Sequence, residues 1–119
     1  MARPLAALAA TLTLTLAASA HEVHHHEGKT AAVDRFYSTW MKPDRPGESC
    51  CNKTDCDEAE VRIDPKGGVW AKRRRDTLYR FVPPAKIEVN RDSPDGRNHL
   101  CAPNWNAHEV YGFVAGIGG

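Results

Sequence analysis

Residues 60–82 carry the clearest structural pattern in this chain, and they read EVRIDPKGGVWAKRRRDTLYRFV. Short segments rich in β-branched and aromatic residues alternate here with turn residues, which is typical of short strands. The first segment, Glu60 to Ile63, ends at an Asp-Pro-Lys-Gly-Gly turn, and Val69 to Arg73 follows it. Thr77 to Val82 then completes a predicted hairpin around residues 74–76. This stretch predicts a small antiparallel sheet.

Three more strand candidates follow this stretch in the chain. They are Lys86 to Val89, His99 to Ala102 and Val110 to Val114. The segment Ser93-Pro94-Asp95-Gly96 separates the first two and has proline and glycine placed for a tight turn. The segment from Pro43 to Asp57 contains three cysteines and is predicted to be a loop.

A short helix is predicted ahead of the sheet. Thr30 is its candidate N-cap, and four apolar residues then recur at i, i+3, i+4 and i+7. They are Val33, Phe36, Tyr37 and Trp40. Pro43 ends the pattern, because proline cannot continue a helix. The predicted fold is a small β-rich (α+β) domain with a short N-terminal helix and a small antiparallel sheet or open barrel, stapled by disulfides.

The N-terminus matches a secretory signal peptide. Arg3 supplies the positive charge, Leu5 to Ala17 an apolar run, and Ala18-Ser19-Ala20 a cleavage site. The apolar run has about 13 residues, whereas a membrane-spanning helix needs about 20. We therefore expect a signal peptide at 1–20, a disordered histidine-rich tail at 21–29 and a single small disulfide-stapled domain at 30–119, periplasmic or secreted, with no membrane anchor.

All four cysteines lie after the signal peptide, in an even number that suits an oxidising compartment. They are Cys50, Cys51, Cys56 and Cys101, and all four are predicted to form disulfides. A bond between the adjacent Cys50 and Cys51 is strained, since their Cα atoms are held ~3.8 Å apart. Of the two other pairings, we favour Cys51–Cys56 with Cys50–Cys101 over the swapped arrangement.

A metal site is the alternative interpretation of these cysteines, with His99 as an additional ligand. Zinc sites normally contain two short Cys/His pairs, and this chain offers a single irregular triplet. A redox enzyme would typically carry a Cys-x-x-Cys motif, which the sequence lacks. The disulfide interpretation is therefore preferred.

Five segments resemble an uncharacterised family of small secreted bacterial proteins, common in rhizobia and their relatives. The segments are Ser49-Cys50-Cys51-Asn52, Asp55-Cys56, Gly67 to Trp70, Val82 to Ile87 and Pro94 to Cys101. The resemblance covers Ser49 to Val114 and implies an exported bacterial product. It implies no known activity.

The tail at 21–29 contains four histidines beside two glutamates. Neutral imidazoles suit Cu(II), Ni(II) and Zn(II), and a flexible tail can arrange several around one ion. The candidate ligands are His21, His24, His25 and His26. A solvated spacer that binds metal only incidentally is the alternative, and in that case the protein has no cofactor.

The predicted hairpin combines aromatic and basic residues, which is the chemistry of binding single-stranded nucleic acid or an acidic glycan. The preferred interpretation of its basic run is a solvated turn that faces the acidic residues Asp55, Asp57, Glu58 and Glu60. The candidate binding residues are Trp70, Arg73, Arg74 and Tyr79. Apart from its six histidines the mature chain is neutral, because the net charge of +1 comes from Arg3 of the signal peptide. This balance argues against nucleic acid as the partner. The expected partner is an envelope protein or a small ligand.

No catalytic constellation is recognisable in the sequence. Neither Ser49 nor Ser93 lies in a nucleophile motif, and no spacing pairs two carboxylates for acid–base catalysis. Asp95 is interpreted as a turn residue, and His99 as a strand residue beside Cys101. We therefore expect a binding or accessory domain and no enzyme activity.

Overall fold

The computed structural model describes residues 31–52 and 54–117. One helix, α1, covers residues 31–39, and the N-cap predicted at Thr30 lies outside the described residues. Seven strands follow in chain order: β1 Met41–Lys42, β2 Arg45–Ser49, β3 Cys56–Ile63, β4 Val69–Arg73, β5 Arg80–Val82, β6 His99–Cys101 and β7 Gly112–Val114. The predicted fold class, β-rich with one short helix, is confirmed.

Five of the strands form one antiparallel sheet in the order β5-β4-β3-β6-β7. After β5 the chain makes a 3-10 turn at Pro84–Lys86 and returns to the opposite edge. There Ile87 bridges Phe113 of β7, and the backbone N–H of Glu88 donates to the Phe113 carbonyl at 2.7 Å. The sheet therefore curls towards an open barrel.

The hairpin predicted around residues 74–76 is present between β4 and β5. The turn between β3 and β4 needs Gly67, whose φ is +83°, a conformation that favours glycine. Gly96, with a φ of +76°, has the same role in the Ser-Pro-Asp-Gly turn. Both predicted turns are therefore confirmed.

Two strand predictions and one loop prediction are wrong in extent. The strand expected at Lys86 to Val89 is reduced to a single bridge at Ile87, because the 3-10 turn at Pro84–Lys86 takes up the backbone N–H groups of Lys86 and Ile87. Thr77 to Tyr79 lie outside β5, which begins only at Arg80. Within the predicted loop at 43–57, β2 pairs with β1, although all five of its residues are exposed.

The core has two parts on either side of β6. The first lies under the hairpin and contains Ala59, Ala71, Val82, Leu100, Ala102, Val110 and Phe113. In the second, Phe36 and Trp40 of α1 pack against Cys50, Cys101 and Val114. The helix therefore covers the cysteines. In the described part of the chain, no helix is both long and apolar enough to cross a lipid bilayer.

Candidate functional site

The four cysteines meet beneath α1. Pairing of β3 with β6 sets Cys56 directly opposite Cys101, and Cys51 reaches them from the loop after β2. The Cα atoms of these three residues lie 4.1–6.0 Å apart, which brings their sulfur atoms within reach of one another. Because a sulfur atom forms one disulfide at a time, the three contacts are alternatives. The prediction of disulfide bonding is confirmed, while the choice of partners stays open.

Cys50 adjoins this group and is buried. Its Sγ lies within 4.8 Å of the Sγ atoms of Cys51 and Cys101. A Cβ added to Gly112 would collide with that sulfur, so the glycine makes room for it. Burial raises the pKa of the Cys50 thiol to about 12. The predicted Cys50–Cys101 disulfide and the swapped Cys50–Cys56 disulfide both stay predictions.

A cavity of about 330 Å³ opens between α1 and the cysteine cluster. It is lined by Asp34, Tyr37, Ser38, Cys51, Asn52 and Cys56. Thus two of the sulfur-bearing residues face a space large enough for a small molecule, with a carboxylate and three other polar groups around it. Sequence reasoning missed this cavity, because its two walls come from separate segments whose approach no local pattern encodes.

A buried polar chain runs behind the cavity from α1 to the Ser-Pro-Asp-Gly turn. The Tyr37 hydroxyl donates to Nδ1 of His99 at 2.6 Å, and Nε2–H of His99 donates to Oδ1 of Asp95 at 2.7 Å. Burial, together with the carboxylates of Asp57 and Asp95, raises the pKa of Tyr37 well above its usual value. Tyr37 therefore stays a neutral donor and fixes the imidazole tautomer.

The carboxyl group of Asp95 is ionised in this chain of hydrogen bonds. Burial opposes its ionisation, but the hydrogen bonds from His99 and from the backbone N–H of Arg97 outweigh that effect, so its pKa lies below the usual range. The sequence placed Asp95 in a turn and His99 on a strand, and both placements are correct. It missed Tyr37 as their partner, 62 residues from His99 in the chain.

Arg73, predicted as part of the binding surface, is instead 1% exposed. Its guanidinium pairs with Asp76 at 2.9 Å and donates to the carbonyls of Asp55 and Ala102. Arg80, also buried, pairs with Asp76 at 3.3 Å and donates to the carbonyl of Pro103. The two arginines therefore hold the hairpin against neighbouring loops, and Arg73 does not belong to a contact surface.

The carboxyl group of Asp76 gives this cluster a dependence on pH. Burial opposes its ionisation, but the hydrogen bonds and charge of Arg73 outweigh that effect and lower its pKa to about 2, from 3.8. Because the folded pKa is depressed, the carboxylate stabilises the fold above pH ~4. We expect about 2 kcal/mol of unfolding free energy to be lost between pH ~4 and pH ~2. Carbon-13 NMR should give Asp76 a titration midpoint of about 2; a midpoint at the usual value would contradict the prediction.

The other predicted binding residues lie on the outer face of the hairpin. Trp70 is 36% and Phe81 43% exposed, and their rings meet edge to face with centroids 5.4 Å apart. Tyr79 lies beside them, and its hydroxyl donates to Glu60 at 3.0 Å. Arg74 is exposed and pairs with Asp57 at 2.8 Å. The structure therefore brings Trp70 and Tyr79 onto one surface.

Two cations also belong to this face. The guanidinium of Arg62 lies 4.3 Å and the ammonium of Lys72 5.3 Å from the centroid of the Tyr79 ring. Among the described residues, neither cation has a carboxylate within salt-bridge distance. We call the five side chains Arg62, Trp70, Lys72, Tyr79 and Phe81 the hairpin face. Sequence reasoning missed Arg62, although the register of β3 against β4 sets Arg62 opposite Trp70.

The metal ligands predicted in the tail, His21, His24, His25 and His26, lie outside the described residues, so metal binding there stays a prediction. Within residues 31–52 and 54–117, one group of three candidate ligands is close enough to hold an ion, and it consists of Cys50, Cys51 and Cys101. His99, considered as an additional ligand, uses both ring nitrogens in hydrogen bonds instead.

Comparison with known proteins adds nothing to this picture: no protein-family model, no curated protein and no solved structure matches the chain. The resemblance to small secreted bacterial proteins therefore stays a prediction.

Proposed function

We propose that this chain is a non-enzymatic binding or accessory domain that acts outside the cytoplasm and contacts its partner through the hairpin face. The observation that carries the proposal is the exposed pair Trp70 and Phe81, with two cations beside it. Export is supported by the signal sequence at 1–20 and by the clustered cysteines. Metal binding by the tail is the alternative function, and the sequence pattern alone supports it.

The aromatic pair is held in place before any partner arrives. The indole N–H of Trp70 donates to Oδ2 of Asp64 at 2.9 Å, and the turn before β4 positions that carboxylate through the backbone N–H groups of Lys66 and Gly68. A fixed aromatic side chain loses little conformational entropy on binding, and tryptophan and tyrosine are enriched among residues that dominate interface energies. The pair is therefore suited to be the centre of a contact.

The cations indicate the chemistry of the partner. Arg62 and Lys72 flank Tyr79. Each cation can bind an anionic group of the partner, while the neighbouring aromatic rings pack against an apolar side chain. An acidic segment of an envelope protein, with an aromatic or aliphatic side chain next to a carboxylate, fits both features. Charge complementarity of this kind favours fast and selective association.

Site-specific photo-crosslinking in cells that export the full chain tests this function. A photoreactive phenylalanine derivative replaces Trp70 in one variant and Trp105 in the control, because Trp105 is 79% exposed and lies outside the hairpin face. We expect a discrete adduct from position 70 and none from position 105. Equal labelling at both positions would show that the hairpin face is not the contact surface.

With the crosslinked partner purified, Trp70→Ala is expected to weaken binding about tenfold or more, as is common for a central aromatic residue. The matched control Trp105→Ala should leave the affinity unchanged. Both variants should remain folded by circular dichroism. If Trp70→Ala binds as tightly as the control, the proposed function is wrong.

A further inference from the structure

Cys51 has two disulfide partners at equally suitable distances. Its Cα lies 5.7 Å from that of Cys56 and 6.0 Å from that of Cys101. Both separations are close to the commonest value of ~5.5–6 Å for disulfides. By contrast, the Cα atoms of Cys56 and Cys101 are 4.1 Å apart, below the usual minimum of ~4.4 Å. Cys51 can therefore bond to either neighbour without movement of the backbone.

Access to these sulfurs differs between the two sides of the cluster. Cys51 and Cys56 are half-buried and line the cavity under α1. Cys101 is fully buried, and Cys50 is enclosed between Trp40 and β7, in the space that Gly112 leaves for its sulfur. A molecule in the cavity thus meets only Cys51 or Cys56.

We propose that the cavity is a thiol–disulfide exchange site, in which the disulfide of Cys51 moves between Cys56 and Cys101 and a small disulfide compound is captured at Cys56. In the starting form Cys51 is bonded to Cys56, while Cys50 and Cys101 are thiols. Cys101 gives up its proton, and its thiolate attacks Sγ of Cys51. The Cys51–Cys101 bond forms, and the Cys51–Cys56 bond breaks. The electron pair leaves on Sγ of Cys56, which takes up the proton that the adjacent Cys101 gave up, so the step is balanced and involves no net oxidation.

Capture follows from the thiol that this step releases into the cavity. The thiolate of Cys56 attacks one sulfur of a small disulfide, R–S–S–R. A mixed disulfide between Cys56 and one R–S group forms, and the other leaves as a thiolate that takes a proton. Asp34 at the cavity wall selects the ligand, because its carboxylate attracts a cationic compound and repels an anionic one.

Disulfide mapping of the full chain tests the exchange step. In the variant Cys50→Ala, three cysteines remain, so alkylation of thiols followed by digestion and mass spectrometry identifies every linkage. We expect both Cys51–Cys56 and Cys51–Cys101 linkages in one preparation. In the wild type, fragmentation spectra should show the same two linkages and an alkylated Cys50. A single fixed linkage, two fixed disulfides with no alkylated cysteine, or a metal ion held by the thiols overturns the proposal.

Two single variants provide a matched pair for the same step. Cys56→Ser should retain a Cys51–Cys101 disulfide, and Cys101→Ser should retain Cys51–Cys56. A free Cys51 in either folded variant contradicts the idea of two alternative partners.

Capture is tested on the wild type with cystamine, a small dicationic disulfide, and with 3,3′-dithiodipropionate, its dianionic counterpart. Cystamine should give a mixed disulfide at Cys56 severalfold faster than the anionic compound, and Asp34→Asn should reduce that preference. An adduct at Cys50, no adduct at all, or equal rates with both compounds overturns the capture step.

Discussion

Replacement of Asp76 by asparagine is expected to lower the free energy of unfolding by about 3–5 kcal/mol. The carboxylate accepts from the backbone N–H, Nε and NH2 of Arg73 at 2.9–3.0 Å, and from NH2 of Arg80 at 3.3 Å. Both guanidiniums are buried, and within the described part of the chain Asp76 is their only salt-bridge partner. Asparagine has the same shape but leaves two positive charges in the interior without a counter-charge.

Urea unfolding followed by circular dichroism measures this effect. Asp92→Asn is the matched control, because Asp92 is exposed and has no side-chain hydrogen bond to another described residue. The control should unfold within about 0.5 kcal/mol of the wild type. A domain of this size has only about 5–15 kcal/mol of stability, so Asp76→Asn is expected to lose a large fraction of it. An Asp76→Asn protein as stable as the control would show that the buried arginines do not need the carboxylate.

The burial of Arg73 could have been predicted from the sequence, although the surrounding basic run suggests an exposed residue. Side chains alternate between the two faces of a strand, so Arg73 shares a face with Ala71 and Val69, both of which pack in the core. Asp76 follows three residues later and Arg80 four residues after that, which is a spacing that allows one carboxylate to serve both arginines. The alternation therefore predicts a buried ion pair, whereas composition alone predicts a charged surface.

The turns were predictable because glycine and proline restrict the backbone locally, as Gly67 and Gly96 do here. The β1–β2 hairpin was not, since the exposed residues Arg45–Ser49 show no apolar alternation and are held by backbone pairing. The even number of cysteines predicted disulfide bonding. It could not predict that three sulfurs converge, because this follows from the pairing of β3 with β6, about 45 residues apart in the chain.

The candidate site depends on the same kind of long-range contact. Tyr37 was predicted as one of four apolar helix residues, and its ring does lie against the core. Its hydroxyl finds His99 only because α1 packs against the sheet where β6 lies between β3 and β7. The spacing of apolar residues predicts which face of a helix is buried, but it does not predict which residues that face contacts.

Removal of the contact between Tyr37 and His99 should also lower the free energy of unfolding strongly. His99→Ala is expected to destabilise the protein by about 3–5 kcal/mol. The imidazole is 2% exposed and satisfies two groups at once, the Tyr37 hydroxyl and the Asp95 carboxylate. Alanine leaves a cavity between α1 and β6 and deprives the buried hydroxyl of its acceptor. It also removes the hydrogen bond that helps to keep Asp95 ionised, so the pKa of Asp95 should rise towards its usual value.

Two further variants separate the hydrogen bonds from the packing. Tyr37→Phe keeps the ring but removes the donor to Nδ1, which should cost about 1–3 kcal/mol. His108→Ala, at an exposed histidine, should be neutral. The expected order of stability is therefore His108→Ala, then Tyr37→Phe, then His99→Ala. Equal stabilities for Tyr37→Phe and the wild type would mean that packing alone fixes α1 over the cysteines, and that the polar chain contributes nothing to holding the wall of the cavity.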